Sequence, residues 1–214
     1  MMFDVNCLKV YLVGGSQDTH HDPVELLDKV EQALKAGITA FQYREKGDSS
    51  LNAEEKLTLG RKLQALCKKY QVPFIIDDDV DLALELQADG IHVGQSDRAI
   101  QKVIDQVSGK MFIGYSCSTL AEVEEANELP IDYVGSGPIF PTLSKLDADP
   151  VIGTDGVQKL VLASKNPIVA IGGISLENIS ELASSGVKGI AVISMILQSS
   201  DIAHTVEVAK AVKY

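Results

Sequence analysis

Gln42, Arg44 and Lys46 stand at alternate positions of the stretch Gln42-Tyr43-Arg44-Glu45-Lys46, and the two-residue period of a strand sends all three toward one side. An arginine and a lysine there suit phosphate oxygens, and a glutamine can read the edge of a heteroaromatic ring. A solvated, salt-bridged strand end is the alternative that spacing alone leaves open. Acids follow two other apolar runs: Phe74-Ile75-Ile76 leads into Asp77-Asp78-Asp79, and Ile91-His92-Val93 leads into Gly94-Gln95-Ser96-Asp97. Magnesium takes one or two carboxylates and fills its shell with water and phosphate oxygens, so Asp78 with Asp97 would make an open metal site. One of Asp77 to Asp79 is expected instead to cap the helix that begins near Val80. Capping alone does not call for the second acid after the next apolar run.

Hydroxyls gather in two further places. In Gly114-Tyr115-Ser116-Cys117-Ser118-Thr119 they can donate to phosphate or cap a helix near Leu120, and capping is the simpler reading. The stretch from Gly135 to Lys145 sets Thr142, Leu143, Ser144 and Lys145 behind glycines and prolines, which permit close approach and restrict the backbone, as an anion-gripping loop requires. Gly172-Gly173, and Ile193-Ser194 before a short apolar turn, can offer backbone amides to a phosphate. His92, alone in an apolar run, reads as a packed core residue. His20 and His21 read as exposed loop residues, and no histidine pair has metal-binding spacing.

These groups fall at the ends of short apolar runs, and the runs alternate with amphipathic stretches. Strands are expected at 8–13, 40–43, 74–77, 90–93, 112–115, 133–136, 168–171 and 189–193, and helices at 23–36, 53–70, 80–86, 98–107, 120–129, 156–164, 176–184 and 201–212. Eight βα pairs in one chain predict an α/β protein with a closed (β/α)8 TIM barrel spanning 1–214 as one domain; a doubly wound open sheet is the alternative. In such a barrel the chemistry sits where the strands end. The longest expected loop, 138–155, follows the sixth strand, and loops of that length often bind ligands.

Composition narrows the function. The 214 residues are 45% hydrophobic and 23% charged, enough for a large core in a soluble protein. A net charge of −11 disfavours nucleic acid and leaves small anionic substrates open. Neither a signal peptide nor a membrane span is expected, so the cytoplasm is the expected location. Three cysteines without metal-ligand spacing are expected to be free thiols.

Taken together, the motifs resemble those of the thiamine-phosphate synthase family over nearly the whole chain, residues 8–212. The family's Gln-x-Arg-x-Lys is met by Gln42, Arg44 and Lys46, its Asp-Gly-(Ile or Val)-His-(Ile, Val or Leu)-Gly-Gln-x-Asp by Asp89 to Asp97, and its Asp-Tyr-Val-Gly-x-Gly-Pro-(Ile or Val)-(Phe or Tyr)-Pro-Thr-x-(Thr or Ser)-Lys by Asp132 to Lys145. The resemblance implies a transferase that joins 4-amino-5-hydroxymethyl-2-methylpyrimidine diphosphate to 4-methyl-5-hydroxyethylthiazole phosphate and releases diphosphate, with Mg²⁺ as cofactor. It implies metal ligands at Asp78 and Asp97 and catalytic roles for Arg44, Lys46 and Lys145. The pyrimidine would meet Gln42, Arg44, Lys46, Ser116 and Lys145, and the thiazole phosphate Thr142, Ser144, Gly173, Ile193 and Ser194. Tyr43, Glu45, Asp77 and Leu143 fall within the same implied substrate-binding set. Lys145→Ala is expected to lose activity while remaining folded. The related thiazole tautomerases and a non-catalytic binder of thiamine precursors are the alternative readings, and a homo-oligomer is left open. Two positions depart from the family pattern: its usual Asn-Asp is Asp77-Asp78 here, and its usual Ser-x-His is Ser116-Cys117-Ser118. The added charge of Asp77 is expected to be tolerated through Mg²⁺.

Overall fold

The computed structural model describes residues 3–46, 49, 51–95, 100–142 and 150–214. Its apolar runs form parallel strands β1 (Val10–Gly14), β2 (Ala40–Tyr43), β3 (Phe74–Asp77), β4 (Gly90–Val93), β5 (Phe112–Ser116), β6 (Tyr133–Ser136), β7 (Ile168–Ile171) and β8 (Gly189–Val192). Each pairs with its neighbours in chain order, and β8 returns to β1 through Val10 opposite Ile190, which closes the barrel and excludes the open sheet. Helices α1 (Pro23–Ala36), α2 (Ala53–Tyr70), α3 (Val80–Leu86), α4 (Ile100–Val107), α5 (Leu120–Ala126), α6 (Gly153–Ala163), α7 (Ser194–Leu197) and α8 (Ile202–Ala211) accompany them. None of the described helices is long and apolar enough to cross a membrane.

Strand alternation divides the core in two. Val10, Leu12, Phe41, Tyr43, Phe74, Ile76, Ile91 and Val93 belong to the layer between strands and helices, while Tyr11, Val13, Ala40, Ile75, Phe112, Tyr133, Val169 and Ala191 fill the barrel. The layer outside is the larger, as a barrel whose strands are covered by helices requires. A 3-10 turn, Val5–Leu8, capped by Asp4, precedes β1 and seals the barrel's lower end, where Phe3 stacks on Tyr133 with ring centroids 5.8 Å apart. That turn takes up Leu8, so the first strand starts at Val10 rather than at residue 8.

The lower rim repeats one device. The first amide of a strand has no ladder partner there, and the residue just before the next strand accepts it: Thr39 Oγ1 from Val10 at 2.8 Å, and Asp89 from Phe74 at 3.0 Å. Asp132 does this for the second amide of β5, Ile113, at 2.7 Å, while the first, Phe112, donates to the Asp89 carbonyl at 3.1 Å. Buried backbone donors need such partners.

The expected helix at 176–184 is instead a 3-10 turn, Ile179–Leu182. Asn178 explains the change, because its side chain accepts from the Ser175 amide and donates to the Gly173 carbonyl, competing with helical bonding. Helix α5 ends at Ala126, three residues early, where the Asn127 side chain turns to the Ala163 carbonyl and the Lys165 amide. Helix α6 begins at Gly153, three residues earlier than expected, and α4 is described from Ile100, with Arg98 and Ala99 outside the described residues. Cys7, Cys67 and Cys117 are buried free thiols, as expected.

Candidate active site

The upper ends of the strands surround one cavity. Gln42, Arg44 and Lys46 all line it, as the two-residue period requires, together with Asp77, Asp78, Ser116, Thr142 and Ile193. Tyr11, Val13, His92, Gly94, Ser118, Gly135, Gly137, Pro138, Val169, Ile171, Gly172 and Ala191 complete its described wall.

The three aspartates at the end of β3 have separate tasks. Asp77 Oδ2 lies 3.3 Å from Arg44 Nε and 3.8 Å from Lys46 Nζ, with the Asp77 side chain only 9% exposed. Asp78 has left-handed backbone, φ 56°, a conformation that aspartate tolerates better than most residues. Its amide donates to the His92 carbonyl at 2.8 Å and its Oδ1 accepts from the Gly94 amide at 3.1 Å, so it binds the ends of β3 and β4 together. Asp78 Oδ2 also meets the Lys46 ammonium. Asp79 is the cap, accepting from the Leu82 amide at 3.0 Å. Two carboxylates and two cations therefore share the cavity rim, and the added charge of Asp77 is already matched within the protein.

The fifth strand divides its hydroxyls in the same way. Thr119 caps α5 in a capping box with Glu122, whereas Ser116 and Ser118 line the cavity. Ser118 Oγ donates to the Gly137 carbonyl at 2.7 Å, which ties the start of the long loop to β5. Below, Ser116 Oγ is 2.9 Å from His92 Nε2, and His92 Nδ1 is 3.0 Å from the Tyr133 hydroxyl. His92 is thus a core residue, as expected, and also part of the cavity floor. Burial, with a smaller contribution from the Lys46 charge, lowers its pKa to about 4, so the ring is neutral near pH 7.

At the far wall Gly172 and Gly173 both have left-handed backbone, φ 96° and 65°. A Cβ on Gly173 would stand 2.4 Å from the Pro141 carbonyl oxygen, so glycine there lets the loop after β6 lie directly on the end of β7. Amides of that loop complete the contact, Ile139 donating to Ile171 at 2.9 Å and Phe140 to Gly172 at 3.0 Å. Helix α7 starts at Ser194, beside lining residue Ile193.

Not every expected residue faces this space. Tyr43 points the other way, stacked against Phe74 in the outer layer, because an odd step along β2 reverses the side chain. Glu45 turns to the loop after β1, accepting from the Ser16 amide at 3.0 Å and from the Ser16 and Ser49 hydroxyls. It holds β2's end in place and is not among the lining residues. Gly173 and Ser194 adjoin lining residues without lining the cavity themselves. Asp97, Leu143, Ser144 and Lys145 lie outside the described residues. Tyr11 lies in no motif, and Tyr133 is the tyrosine of the motif that opens at Asp132; neither was expected in the site, and both are legible as inward positions of β1 and β6.

The chain matches the family described as thiamine monophosphate synthase over residues 10–196. It is 53% identical to the thiamine-phosphate synthase of Limosilactobacillus fermentum, with 97% of each chain covered, and 52% identical to that of Listeria monocytogenes, with 91% of each covered. Among solved structures, the thiamine phosphate pyrophosphorylase of Pyrococcus furiosus superposes with a TM-score of 0.84 at 35% identity, covering 96% of this chain and 95% of that one. Matched by the family model over residues 10–196 and by these relatives along nearly all of its length, the chain belongs to the thiamine-phosphate synthase family of transferases.

Proposed function

We propose that the cavity joins 4-amino-5-hydroxymethyl-2-methylpyrimidine diphosphate to 4-methyl-5-hydroxyethylthiazole phosphate, giving thiamine phosphate and diphosphate. The observation that supports this reading is the convergence of Arg44, Lys46, Asp77 and Asp78 on the rim of one cavity whose floor carries Gln42 and Ser116. A polar floor suits a heteroaromatic ring and a cationic rim suits its diphosphate. A tautomerase acting on the thiazole alone has no use for that rim.

The carbon–oxygen bond between the pyrimidine methylene and the diphosphate breaks first, assisted by the ring's amino group, and the thiazole nitrogen then bonds to the resulting cation. No proton transfer by the protein is needed for either event. The protein's task is to stabilise charge accumulating on the leaving diphosphate, and Arg44, Lys46 and Lys145 are assigned to it. Asp77 keeps Arg44 and Lys46 gathered at the rim. Thr142, Ser144, Gly173, Ile193 and Ser194 are assigned to the thiazole phosphate.

Asp78 fits a magnesium site: its carboxylate lines the cavity, and a cation, the Lys46 ammonium, already sits against it. Asp78 with Asp97 would hold Mg²⁺, which when bound neutralises diphosphate charge. Among the described residues no cluster of three or more protein ligands occurs; an Mg²⁺ held by Asp78 and Asp97 would take the rest of its shell from water and substrate. The cytoplasm is the location that goes with this chemistry.

Mixing both substrates with Mg²⁺ and assaying thiamine phosphate and diphosphate tests the reading, and a folded protein that forms neither would overturn it. Lys145→Ala is expected to lower turnover about 10²–10³-fold without unfolding the barrel. Near-normal turnover in that variant would remove Lys145 from the mechanism.

A further inference from the structure

Five side chains from five strands form an unbroken hydrogen-bonded series across the cavity floor. Gln42 Nε2 donates to the Tyr11 hydroxyl at 2.7 Å, and the Tyr11 and Tyr133 hydroxyls are 2.9 Å apart. Tyr133 Oη lies 3.0 Å from His92 Nδ1, and His92 Nε2 lies 2.9 Å from Ser116 Oγ. Gln42, Tyr11 and Tyr133 are each at most 4% exposed. Polar groups buried so deeply need partners, and here they supply them to one another.

The barrel makes room for the series. Residue 114 on β5 faces inward and is glycine; a Cβ there would stand 2.1 Å from Tyr133 Cζ and 2.5 Å from His92 Nδ1, directly across their hydrogen bond. On β6, a Cβ at Gly135 would come within 3.0 Å of the His92 ring. Two adjacent strands thus give up their inward side chains where the tyrosine and histidine meet.

We infer that Tyr11, Tyr133 and His92 are positioning residues, a buried relay that fixes which hydrogen-bonding face Gln42 and Ser116 turn toward the substrate ring. The direction follows from counting protons. Tyr11 accepts from Gln42, so its single proton goes to Tyr133. Tyr133 then donates to His92 Nδ1, which leaves the imidazole proton on Nε2, pointing at Ser116 Oγ. Ser116 accepts there, and its own proton is left for the cavity. At the other end, Gln42 has committed an amide proton to Tyr11 and keeps its carbonyl oxygen as an acceptor. The floor therefore presents an acceptor and a donor set by one chain of bonds. An aminopyrimidine edge offers the matching pair, an exocyclic N–H donor beside a ring-nitrogen acceptor. A 4-oxo ring offers the reverse, and to receive it all five groups would have to turn over together.

This inference rests on the transferase reading, since it takes the pyrimidine ring as occupant of the floor. Tyr133→Phe tests it, because the ring volume stays while the central hydroxyl is lost. Binding of 4-amino-5-hydroxymethyl-2-methylpyrimidine diphosphate and of its 4-oxo counterpart is measured by calorimetry without the thiazole, and wild-type turnover is measured alongside. The wild type is expected to prefer the amino ring by about 100-fold or more, and Tyr133→Phe to reduce that preference at least about tenfold. General damage to the barrel would weaken both ligands and leave their ratio intact. A folded Tyr133→Phe protein with an unchanged ratio overturns the relay, as does a wild type without preference. If Tyr133→Phe does not fold, Tyr11→Phe cuts the series one link nearer Gln42 and is expected to reduce the same ratio. A wild type that binds the amino ring selectively but forms no thiamine phosphate sinks the transferase reading alone, and the variant ratio still decides the relay.

Discussion

Arg44 Nε lies 3.3 Å from a carboxylate oxygen of Asp77, a side chain nearly closed off from solvent at the edge of the cavity. In the sequence Asp77 is a charge placed where diphosphate is expected; in the fold it is answered by Arg44 and, at 3.8 Å, by Lys46. The carboxylate therefore orients the cations that would meet the leaving group. Asp77→Asn keeps an oxygen acceptor for Arg44 and is expected to change turnover by less than about threefold, whereas Asp77→Ala releases Arg44 and is expected to lower it about tenfold. Steady-state kinetics on both variants check this. A large gain in the Asn variant would mean that the charge opposes diphosphate.

Asp89 and Asp132 open two of the motifs shared with the family, yet neither lines the cavity. Asp89 accepts the first amide of β3, Phe74, at 3.0 Å, and Asp132 the second amide of β5, Ile113, at 2.7 Å. Asp132→Ala would leave the Ile113 amide without this partner at the barrel's lower end, at a cost of about 1–3 kcal/mol. Thermal or urea unfolding should report that loss while KM for both substrates stays at the wild-type value. A rise in either KM would give Asp132 a role in the site.

The barrel was legible because apolar runs and amphipathic stretches alternate with few interruptions, and Gln42, Arg44 and Lys46 were legible because a strand's period is two. The same period excluded Tyr43, whose odd step turns it outward against Phe74. Glu45 could not be placed from its neighbours alone, since Ser16, from the loop after β1, holds it together with nearby Ser49. The division of labour among Asp77, Asp78 and Asp79 was equally hidden: one pairs with cations, one bridges two strands, one caps, and only the packing of β2 and β4 against β3 decides which. Tyr133 stands beside glycines and loop hydroxyls that carry the motif's chemical signal, and only its inward register on β6 distinguishes it. The 3-10 turn in place of a helix after β7 depends on one asparagine side chain, a local competition that periodicity does not register.

Gly173 tests the wall assigned to the thiazole phosphate. Its φ of 65° is costly for a residue with a Cβ, and that Cβ would stand 2.4 Å from the Pro141 carbonyl oxygen. Gly173→Ala must therefore push the loop after β6 away from β7, with an expected stability loss of about 1–3 kcal/mol. The displaced backbone lies on the side proposed for the thiazole phosphate, so KM for that substrate should rise more than KM for the pyrimidine diphosphate. Equal changes in the two would separate Gly173 from that subsite.

His92 makes stability depend on pH. Its folded pKa of about 4 lies below the ordinary 6.5, chiefly through burial. Above pH 6.5 the imidazole is neutral in both folded and unfolded chains, and its contribution is fully present. As pH falls from about 6.5 toward 4, the unfolded chain takes up a proton that the folded chain refuses, so stability declines across that window by up to about 3 kcal/mol and the decline from this group then stops. Carboxylates titrate at the lower end of the range as well, and a difference between two proteins removes their common part. Unfolding free energies of the wild type and of His92→Gln, measured at intervals from pH 7 to pH 4, should therefore converge as pH falls, because only the wild type loses the histidine's share. Parallel curves would mean that His92 titrates alike in the folded and unfolded chains, and that the cavity floor is open enough to water to hold a charged imidazole.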